Sequence, residues 1–426
     1  MLSYTNVKVI HVSTSDRLGG AAIAAKRLND VFNEYNIDSK LLIRDRTLDS
    51  NKILDINAQY GNFKKLGLHL ISSGFNVLVQ KMLRPIRGTF SLSYGFYRIS
   101  ELDELKTSDI VYIHWCNQSF ISIKEIERIL KIGKPTIIVL HDMWYLTGGC
   151  HHSLGCEGLK NCCSKCPAIG RKSFSWMAKI QLKLKKRLSQ YNNLSIVSPS
   201  FWMDRNISDL SIYKNNRHLV IPNVLPIETF KPLDKKISRS ILDLPRDKKL
   251  VMFLADGGTS NPYKGWQYLK DSLKLLNQSK NIELVVVGNE VSEIDITEIG
   301  MKIHSFGKVT DEITLPIFYS AVDIFVTSSL ADNAPQVVVE AQSCGCPVIG
   351  FRVGGIPDMM LPSQIENLVQ PKNARALADK IMMVLGEERT IDERDNMHLE
   401  IEKVFGPSSV ITKHKQLWEQ FTPKFQ

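Results

Sequence analysis

The sequence predicts an α/β protein made of two doubly wound parallel-sheet units. Short β-branched runs alternate with longer helical stretches, and the alternation begins again at Lys249 after a connector that contains three prolines, Val220–Pro232. Regular alternation of strand and helix favours parallel strands covered by helices on both faces. At 426 residues, the chain is long enough for two such units to bury full cores without disulfides.

The first unit begins with a buried strand, Val7–Ser13, which is followed by Gly19-Gly20 and the helical stretch Ala21–Tyr35. Further strands of this unit are predicted at Lys40–Ile43, Asp109–Trp115, Thr136–His141 and Leu194–Ser198. The second unit has its predicted strands at Lys249–Ala255, Ile282–Gly288, Ile303–Gly307, Ile324–Ser328 and Pro347–Phe351. We therefore expect domains at residues 1–222 and 223–402, with a helix at 403–426 crossing back to the first domain.

Composition excludes several classes of protein. Apolar residues make up 43% and charged residues 23% of the chain, which is ordinary for a soluble globular protein and excludes disordered, collagen-like and coiled-coil chains. Neither a signal peptide nor an apolar run of ~18–20 residues is visible, so we expect a cytoplasmic protein with reduced cysteines. The net charge of +10 permits nucleic acid, an anionic membrane or a phosphorylated substrate as partner.

Two turns carry features that suit a phosphate. Gly19-Gly20 lets the backbone approach a ligand closely before a helix begins, although a plain tight turn explains it equally well and the spacing of a dinucleotide motif is absent. Lys264 stands at a strand-to-helix turn in Asn261–Gly265, where a lysine suits a phosphate as a point charge.

A carboxylate pair follows in the second unit. Asp332 is in a loop with Asn333, Ala334 and Pro335, and Glu340 comes after seven intervening residues on the next helical stretch. Pro335 fits the first turn of that helix, and both carboxylates can accept hydrogen bonds from sugar hydroxyls. Gly354-Gly355 forms a second close-approach turn downstream.

These motifs resemble those of the family 4 retaining glycosyltransferases of the GT-B fold, of the bacterial type that builds capsule, O-antigen or exopolysaccharide. The resemblance covers nearly the whole chain. It rests on the Gly19-Gly20 loop, the His141–Trp144 stretch, Ile221–Asn223 with Phe230–Pro232, Lys264-Gly265, and the pair of Asp332 and Glu340 with the glycine-rich turn that follows it. It implies two Rossmann-like domains that face a central cleft.

The resemblance also implies roles for individual residues. Lys264 would neutralise the leaving nucleotide diphosphate, Glu340 would hold the ribose, and Asp332 would contact hydroxyls of the transferred sugar. Backbone N–H groups around Asn333, Ala334 and Pro335 would assist, the Gly19-Gly20 loop would close on the diphosphate or acceptor, and His141 would line the cleft from the acceptor side. No catalytic metal and no protein nucleophile are then expected.

Two departures from the family pattern affect this assignment. The first acid is the shorter Asp332 where the family usually has Glu, and the stretch Phe253–Tyr263 lacks the Arg that commonly precedes the lysine. Lys264 therefore acts alone, or an Arg elsewhere in the sequence replaces the missing one.

Five of the eight cysteines lie between residues 150 and 166. Cys163 and Cys166 have the spacing of structural zinc ligands, and Cys150 and Cys156 complete a set of four thiolates. His151 or His152 are substitutes, and Cys162 is an alternative to Cys163. Free thiols and disulfides are the competing interpretations of this cluster.

Two basic stretches contain no acidic residue. Asn57–Ser100 mixes Lys and Arg with bulky apolar residues, and Arg171–Leu188 holds seven Lys or Arg with Trp176, Ile180, Leu184 and Leu188 at helical spacing. Both suit peripheral contact with the anionic inner face of the plasma membrane, near a polyprenol-linked glycan acceptor. Amphipathic helices packed on the first domain are the alternative.

The sequence thus predicts a transferase that moves a sugar from a nucleotide-diphosphate donor. A nucleotide-sugar epimerase of the same fold and a basic nucleic-acid-binding protein with a zinc loop are the alternatives. The second of these lacks a finger or RNA-binding pattern and leaves Lys264, Asp332 and Glu340 unexplained.

Overall fold

A computed structural model of the chain describes residues 7–255, 261–276, 281–288, 291–309 and 311–421. The chain forms two units. The first comprises residues up to Asn223 together with residues from Ile411 on, and the second comprises Val224–Val410. The helix Pro407–Trp418 leads the chain from the second unit back into the first.

The first unit contains a parallel sheet of seven strands within the described residues. Its strands are β1 (Lys8–Ser15), β2 (Asp38–Asp45), β3 (Ile53–Asp55), β4 (Ile110–Ile113), β5 (Thr136–Val139), β6 (Leu194–Ser198) and β7 (Arg217–Val220). Their order in the sheet is β3-β2-β1-β4-β5-β6-β7. Its helices are α1 (Gly20–Glu34), α2 (Asn62–Leu83), α3 (Asp103–Thr107), α4 (Ile123–Lys131), α5 (Trp176–Lys186) and α6 (Phe201–Leu210).

The second unit contains a parallel sheet of six strands in the part of the chain that is described. Its helices are α7 (Lys235–Ile241), α8 (Trp266–Leu276), α9 (Glu293–Ile299), α10 (Leu315–Ala321), α11 (Gln336–Ser343), α12 (Ala374–Leu385) and α13 (Ile391–Phe405), and α14 is the returning helix Pro407–Trp418. Its strands are β8 (Lys249–Ala255), β9 (Ile282–Gly288), β10 (Ile303–Phe306), β11 (Ile324–Thr327), β12 (Val348–Phe351) and β13 (Leu368–Val369), in the order β10-β9-β8-β11-β12-β13.

The central strands form because they are short apolar runs buried on both faces. Every residue of β4, β5, β6, β11 and β12 is buried, which is the pattern of parallel strands covered by helices on both sides. The prediction of two doubly wound parallel sheets is therefore confirmed.

The strands that sequence analysis did not predict lie at sheet edges. These are β3 and β7 in the first sheet and β13 in the second. Each has four residues or fewer, so none offers the apolar run that identifies a central strand. β7 ends at Val220, where the predicted extended connector begins.

Candidate functional site

The predicted donor residues of the second unit gather at the carboxyl edge of its sheet. The turn Asn261–Gly265 comes after β8, the Ser328–Pro335 loop follows β11, and the Arg352–Ile356 loop follows β12. These three strands are neighbours in the order β8-β11-β12. Because parallel strands end at one edge, the three loops meet where α/β sheets commonly bind ligands.

The turn that carries Lys264 is fastened to the loop after β11. The backbone N–H of Leu330 donates to the carbonyl of Tyr263 at 2.7 Å, and Ser328 Oγ donates to the carbonyl of Lys264 at 2.8 Å. Gly265 has φ +62°, and a Cβ there would overlap the carbonyl oxygen of Ser328. Glycine is therefore required at this position for the lysine turn to approach the loop.

Lys264 and Asp332 form an ion pair. Lys264 Nζ lies 3.0 Å from Asp332 Oδ2, and the two side chains are 24% and 18% exposed. Gly355 N–H donates to the carbonyl of Asp332 at 3.1 Å, and Gly354, at φ +60°, leaves no room for a Cβ against the same carbonyl. The structure thus brings together two residues that are 68 positions apart, with a glycine turn behind them.

The helix that carries the second carboxylate begins directly after this loop. Pro335 occupies the N-cap of α11, which places the first backbone N–H groups of α11 beside the Asp332–Ala334 segment. Asn333 is buried. The N-terminus of a helix favours an anion nearby.

Glu340 is buried on α11 and bonded to a residue that sequence analysis missed. Tyr319, on α10, donates its hydroxyl to Glu340 Oε2 at 3.1 Å. Burial, and then the charge of Glu340, raise the pKa of Tyr319 well above its usual value, so the phenol keeps its proton and holds the carboxylate in place. No motif links the two positions in sequence.

The other predicted residues lie in the first unit. Gly19 has φ +87° and is the N-cap of α1, and Gly20 is the first residue of that helix. A Cβ added at Gly20 meets no atom within 4 Å, so packing does not require glycine there. His141 follows β5, is half-buried, and its Nε2 lies 2.9 Å from His114 Nδ1.

Asp142, next to His141, is held in place by several hydrogen-bond partners. It accepts hydrogen bonds from Trp115 Nε1 at 3.0 Å and from the backbone N–H of Trp144 at 2.8 Å. Its Oδ2 also lies 2.5 Å from Nδ1 of His151. Burial favours the protonated carboxyl, but the His151 charge and these hydrogen bonds outweigh it and lower the pKa of Asp142. His151, a predicted substitute metal ligand, is thus engaged with Asp142.

The predicted metal ligands interact with one another. The interaction between the Cys150 and Cys166 thiols raises the pKa of Cys150 and lowers that of Cys166. The charges of Cys163 and Cys156 raise the pKa of Cys150 further. Cys162 is exposed and lies 4.0 Å from Lys186 Nζ. Across the described residues, no group of three or more His, Cys, Asp or Glu is arranged to hold a metal ion, so the zinc site stays a prediction.

One basic residue of the second basic stretch, Lys185, is buried. Lys185 Nζ donates to the carbonyls of Trp144 at 2.6 Å and Thr147 at 3.0 Å and lies 3.6 Å from the centre of the Trp144 ring. Burial lowers its pKa to about 7. Trp176 and Ile180 of the same stretch remain exposed, whereas Leu188 is in the core.

The first basic stretch exposes an apolar helix. Six bulky side chains of α2 are more than half exposed: Phe63, Leu66, Leu70, Ile71, Val77 and Leu78. No helix in the described ranges is both long enough and apolar enough to cross a bilayer.

Comparisons with known proteins agree with this architecture. Residues 234–403 match the family of glycosyl transferases group 1. The chain is 24% identical over 322 residues to the phosphatidylinositol N-acetylglucosaminyltransferase gpi3 subunit of Schizosaccharomyces pombe, covering 72% of this chain and 66% of that protein. It is 26% identical over 308 residues to the putative colanic acid biosynthesis glycosyl transferase WcaC of Escherichia coli, covering 63% of this chain and 68% of the relative.

The fold is shared with solved glycosyltransferase structures. The Anabaena protein HepE, in complex with UDP and glucose, superposes with a TM-score of 0.62 at 17% identity and covers 97% of this chain and all of that one. The chain spans about two thirds of the length of the two curated relatives above. Residues 234–403 thus match the glycosyl transferases group 1 family, and the chain has the GT-B fold, as its sequence predicts.

Proposed function

We propose that the protein moves a sugar, with retention of anomeric configuration, from a nucleotide-diphosphate sugar to a lipid-linked glycan acceptor in surface polysaccharide biosynthesis. The observation that carries the proposal is the pair of Lys264 and Asp332 at the carboxyl edge of the second sheet. The names of two similar proteins support it, since one was solved with UDP and glucose and the other is named for colanic acid biosynthesis.

Lys264 supplies the charge that the leaving diphosphate needs. As the bond between sugar and phosphate breaks, positive charge develops on the anomeric carbon and negative charge on the diphosphate. A fixed ammonium group beside a helix start stabilises that charge more strongly in the transition state than in the ground state, which is the requirement for catalysis.

Asp332 and Lys264 exchange partners when the donor binds. Without donor, the carboxylate neutralises the lysine at 3.0 Å. A diphosphate carries more negative charge and takes over the lysine, which releases the Asp332 carboxylate to accept hydrogen bonds from sugar hydroxyls. The shorter reach of Asp compared with Glu is compatible with this exchange because the lysine turn is tied closely to the Asp332 loop.

Glu340 binds the ribose of the nucleotide. Its carboxylate is buried on α11 and held by the hydroxyl of Tyr319. One oxygen accepts the Tyr319 proton, and the carboxylate has further lone pairs for the two ribose hydroxyls.

The acceptor binds at the carboxyl edge of the first sheet. Gly20 begins α1 at the carboxyl edge of the first sheet, and His141 stands at the same edge after β5. Packing does not require glycine at position 20, and the missing side chain leaves room for a ligand to approach the backbone. Retention follows if the acceptor hydroxyl attacks the face that the diphosphate leaves, since the leaving phosphate itself can take up the acceptor proton.

Donor binding is tested by the change in melting temperature with a panel of UDP-, GDP- and dTDP-sugars. We expect one nucleotide class to raise the melting temperature of the wild type and of Lys274→Ala, and to have little effect on Lys264→Ala. Lys274 is a matched control because it also lies in the second unit and pairs with a carboxylate, Glu298. An equal shift in all three proteins would remove Lys264 from the donor site, and conversion of the sugar without any acceptor would identify an epimerase instead.

We propose further that α2 rests on an anionic bilayer. Its exposed apolar side chains are accompanied by exposed Lys64, Lys65, Lys81, Arg84 and Arg87, and no acidic residue occurs from Asn57 to Ser100. Each basic residue near such a surface adds about 1 kcal/mol, so the charge complements a phosphatidylglycerol-rich leaflet and the apolar side chains enter it.

Sedimentation with vesicles tests this contact. Wild type should bind phosphatidylglycerol vesicles and not phosphatidylcholine vesicles, and Leu70→Glu should weaken binding. Ile313→Glu is the matched control, because Ile313 is 77% exposed in the second unit. Equal binding of wild type and Leu70→Glu would refute the role of α2.

We propose as well that Cys150, Cys156, Cys163 and Cys166 bind a structural zinc ion. The spacing of Cys163 and Cys166 along the chain suits structural zinc, and a divalent cation would offset the charges of the other three cysteines, which raise the pKa of Cys150. Metal analysis of purified protein should give about one zinc per chain, and Cys162→Ser should keep it while Cys166→Ser loses it. Protein with no metal and every thiol free would refute the site.

A further inference from the structure

Three histidines form a hydrogen-bonded row across the first sheet. His11 lies on β1, His114 follows β4 and His141 follows β5, and these three strands are neighbours in the sheet. His11 Nδ1 lies 2.9 Å from His114 Nε2, and His114 Nδ1 lies 2.9 Å from His141 Nε2. Neighbouring rings are stacked with centroids 5.2 Å apart. The row runs from the interior, where His11 and His114 are buried, to half-buried His141 at the carboxyl edge.

The surroundings of the row disfavour a charged imidazole. Burial lowers the pKa of His11 to about 3, of His141 to about 4, and of His114 well below its usual value. His414 on α14 adds to the lowering at His11 and His114, and Lys413 of the same helix lowers the pKa of His414. Asp142 beside His141 acts in the opposite direction.

Asp142 is nevertheless engaged elsewhere. Its oxygens accept from Trp115 Nε1, from the Trp144 N–H and from His151. Tyr112, which stacks on His11 at 4.7 Å, directs its hydroxyl to His414 Nδ1 at 2.9 Å. These surroundings favour the neutral form of all three rings at pH 7.

Neutral rings allow only two arrangements of the protons. A hydrogen bond between two neutral imidazoles needs one N–H and one bare nitrogen, so all N–H groups point either outward toward His141 or inward toward His11. In the inward arrangement His11 Nε2 carries a buried proton, and this atom has no hydrogen-bond partner among the described residues. A buried N–H without a partner is rarer in proteins than an unused acceptor, which favours the outward arrangement.

We infer that His11 and His114 are positioning residues that fix His141 as a neutral imidazole with its proton on Nδ1, a hydrogen-bond donor for an oxygen atom of the ligand. This inference rests on the proposed function for the role of His141 at the acceptor edge. His141 then recognises a lone pair, such as that of a sugar hydroxyl or phosphate oxygen, and does not act as a general base, because its other nitrogen already accepts the proton of His114. Neither His11 nor His114 touches the ligand.

Nitrogen NMR of protein labelled with ¹⁵N-histidine tests the inference without any substrate. The His141 signal is assigned by its loss in His141→Asn. We expect Nδ1 protonated and Nε2 bare from pH 7 down to pH 5. In His114→Phe, the ring is replaced without its hydrogen bonds, and we expect His141 to become a mixture of tautomers while burial keeps its pKa low. His218→Gln, on edge strand β7, should leave the His141 signal unchanged.

A wild-type His141 that is protonated on Nε2, or that is charged at pH 7, would overturn the inference. This result does not depend on whether His114→Phe folds. An unchanged His141 tautomer in folded His114→Phe would also overturn it. The result stands apart from the proposed function, since the NMR signals do not depend on donor binding or transfer.

Kinetics provide the functional test. His141→Asn keeps an N–H donor and should retain at least ~10-fold more transfer than His141→Leu, about the value of one hydrogen bond. Equal loss in the two variants would show that His141 does not act as a donor.

Discussion

The free energy of unfolding should fall steeply on acidification, at pH values well above those at which carboxylates titrate. His11, His114, His141 and His414 all have pKa values lowered by burial, to about 3 or 4 for three of them. In the unfolded chain each returns to ~6.5. Unfolding therefore binds protons below pH 6.5, so the free energy of unfolding falls as pH decreases from there toward pH 4.

The magnitude follows from the linkage relation. At pH 5.5, one pH unit below the unfolded pKa, each histidine lowers the free energy of unfolding by about 1.4 kcal/mol. Four such groups together remove about 5 kcal/mol relative to pH 7.5, which is a large share of the ~5–15 kcal/mol that stabilises a typical protein.

Urea unfolding at pH 7.5, 6.5 and 5.5, followed by far-UV circular dichroism, measures this loss. His414→Gln keeps an acceptor for the Tyr112 hydroxyl and should reduce the loss by about 1.3 kcal/mol. His69→Gln, which removes an exposed histidine of α2, is the control and should leave the loss unchanged. A change below about 1 kcal/mol between pH 7.5 and 5.5 would refute neutral burial of these rings.

Three further substitutions test the two candidate binding edges. Glu340→Gln keeps an oxygen for Tyr319 and removes the charge, so nucleotide affinity measured by calorimetry should fall about 10-fold; equal affinity would reject the ribose role. Gly354→Ala places a Cβ against the Asp332 carbonyl and should slow transfer and lower the melting temperature together, whereas wild-type values for both would mean that the turn is not constrained. Gly20→Ala meets no neighbouring atom, so stability should be preserved while transfer declines; full transfer would identify a turn without a ligand.

The sequence predicts the central strands well because their physical signal is local. Leu194–Ser198, Lys249–Ala255 and Ile282–Gly288 agree with the structure to the residue, since an apolar run bounded by polar residues identifies a strand buried on both faces. Edge strands such as Arg217–Val220 have no such run, and only their pairing with a neighbour reveals them.

The candidate donor site is predictable from its position after strands, but its contacts are not. Lys264 and Asp332 each follow a strand, and the sheet order brings the two strands together. Phe253–Tyr263, the stretch that lacks the family Arg, includes residues 256–260, which lie outside the described part of the chain.

Neither the histidine row nor the buried Lys185 can be recognised from the sequence. His11 and His114 are separated by 103 positions and each resembles an isolated core residue, so only the sheet order aligns them. Lys185 belongs to a basic helix, and its position inside the core depends on two carbonyls from the loop around Trp144, which periodicity cannot show.

The most direct test of the central claim is the turnover number of Lys264→Ala at saturating nucleotide sugar, compared with wild type and Lys274→Ala. If Lys264 stabilises the charge of the leaving diphosphate, its removal should lower turnover at least ~100-fold, while Lys274→Ala stays close to wild type. Turnover of Lys264→Ala equal to that of the control would contradict the account.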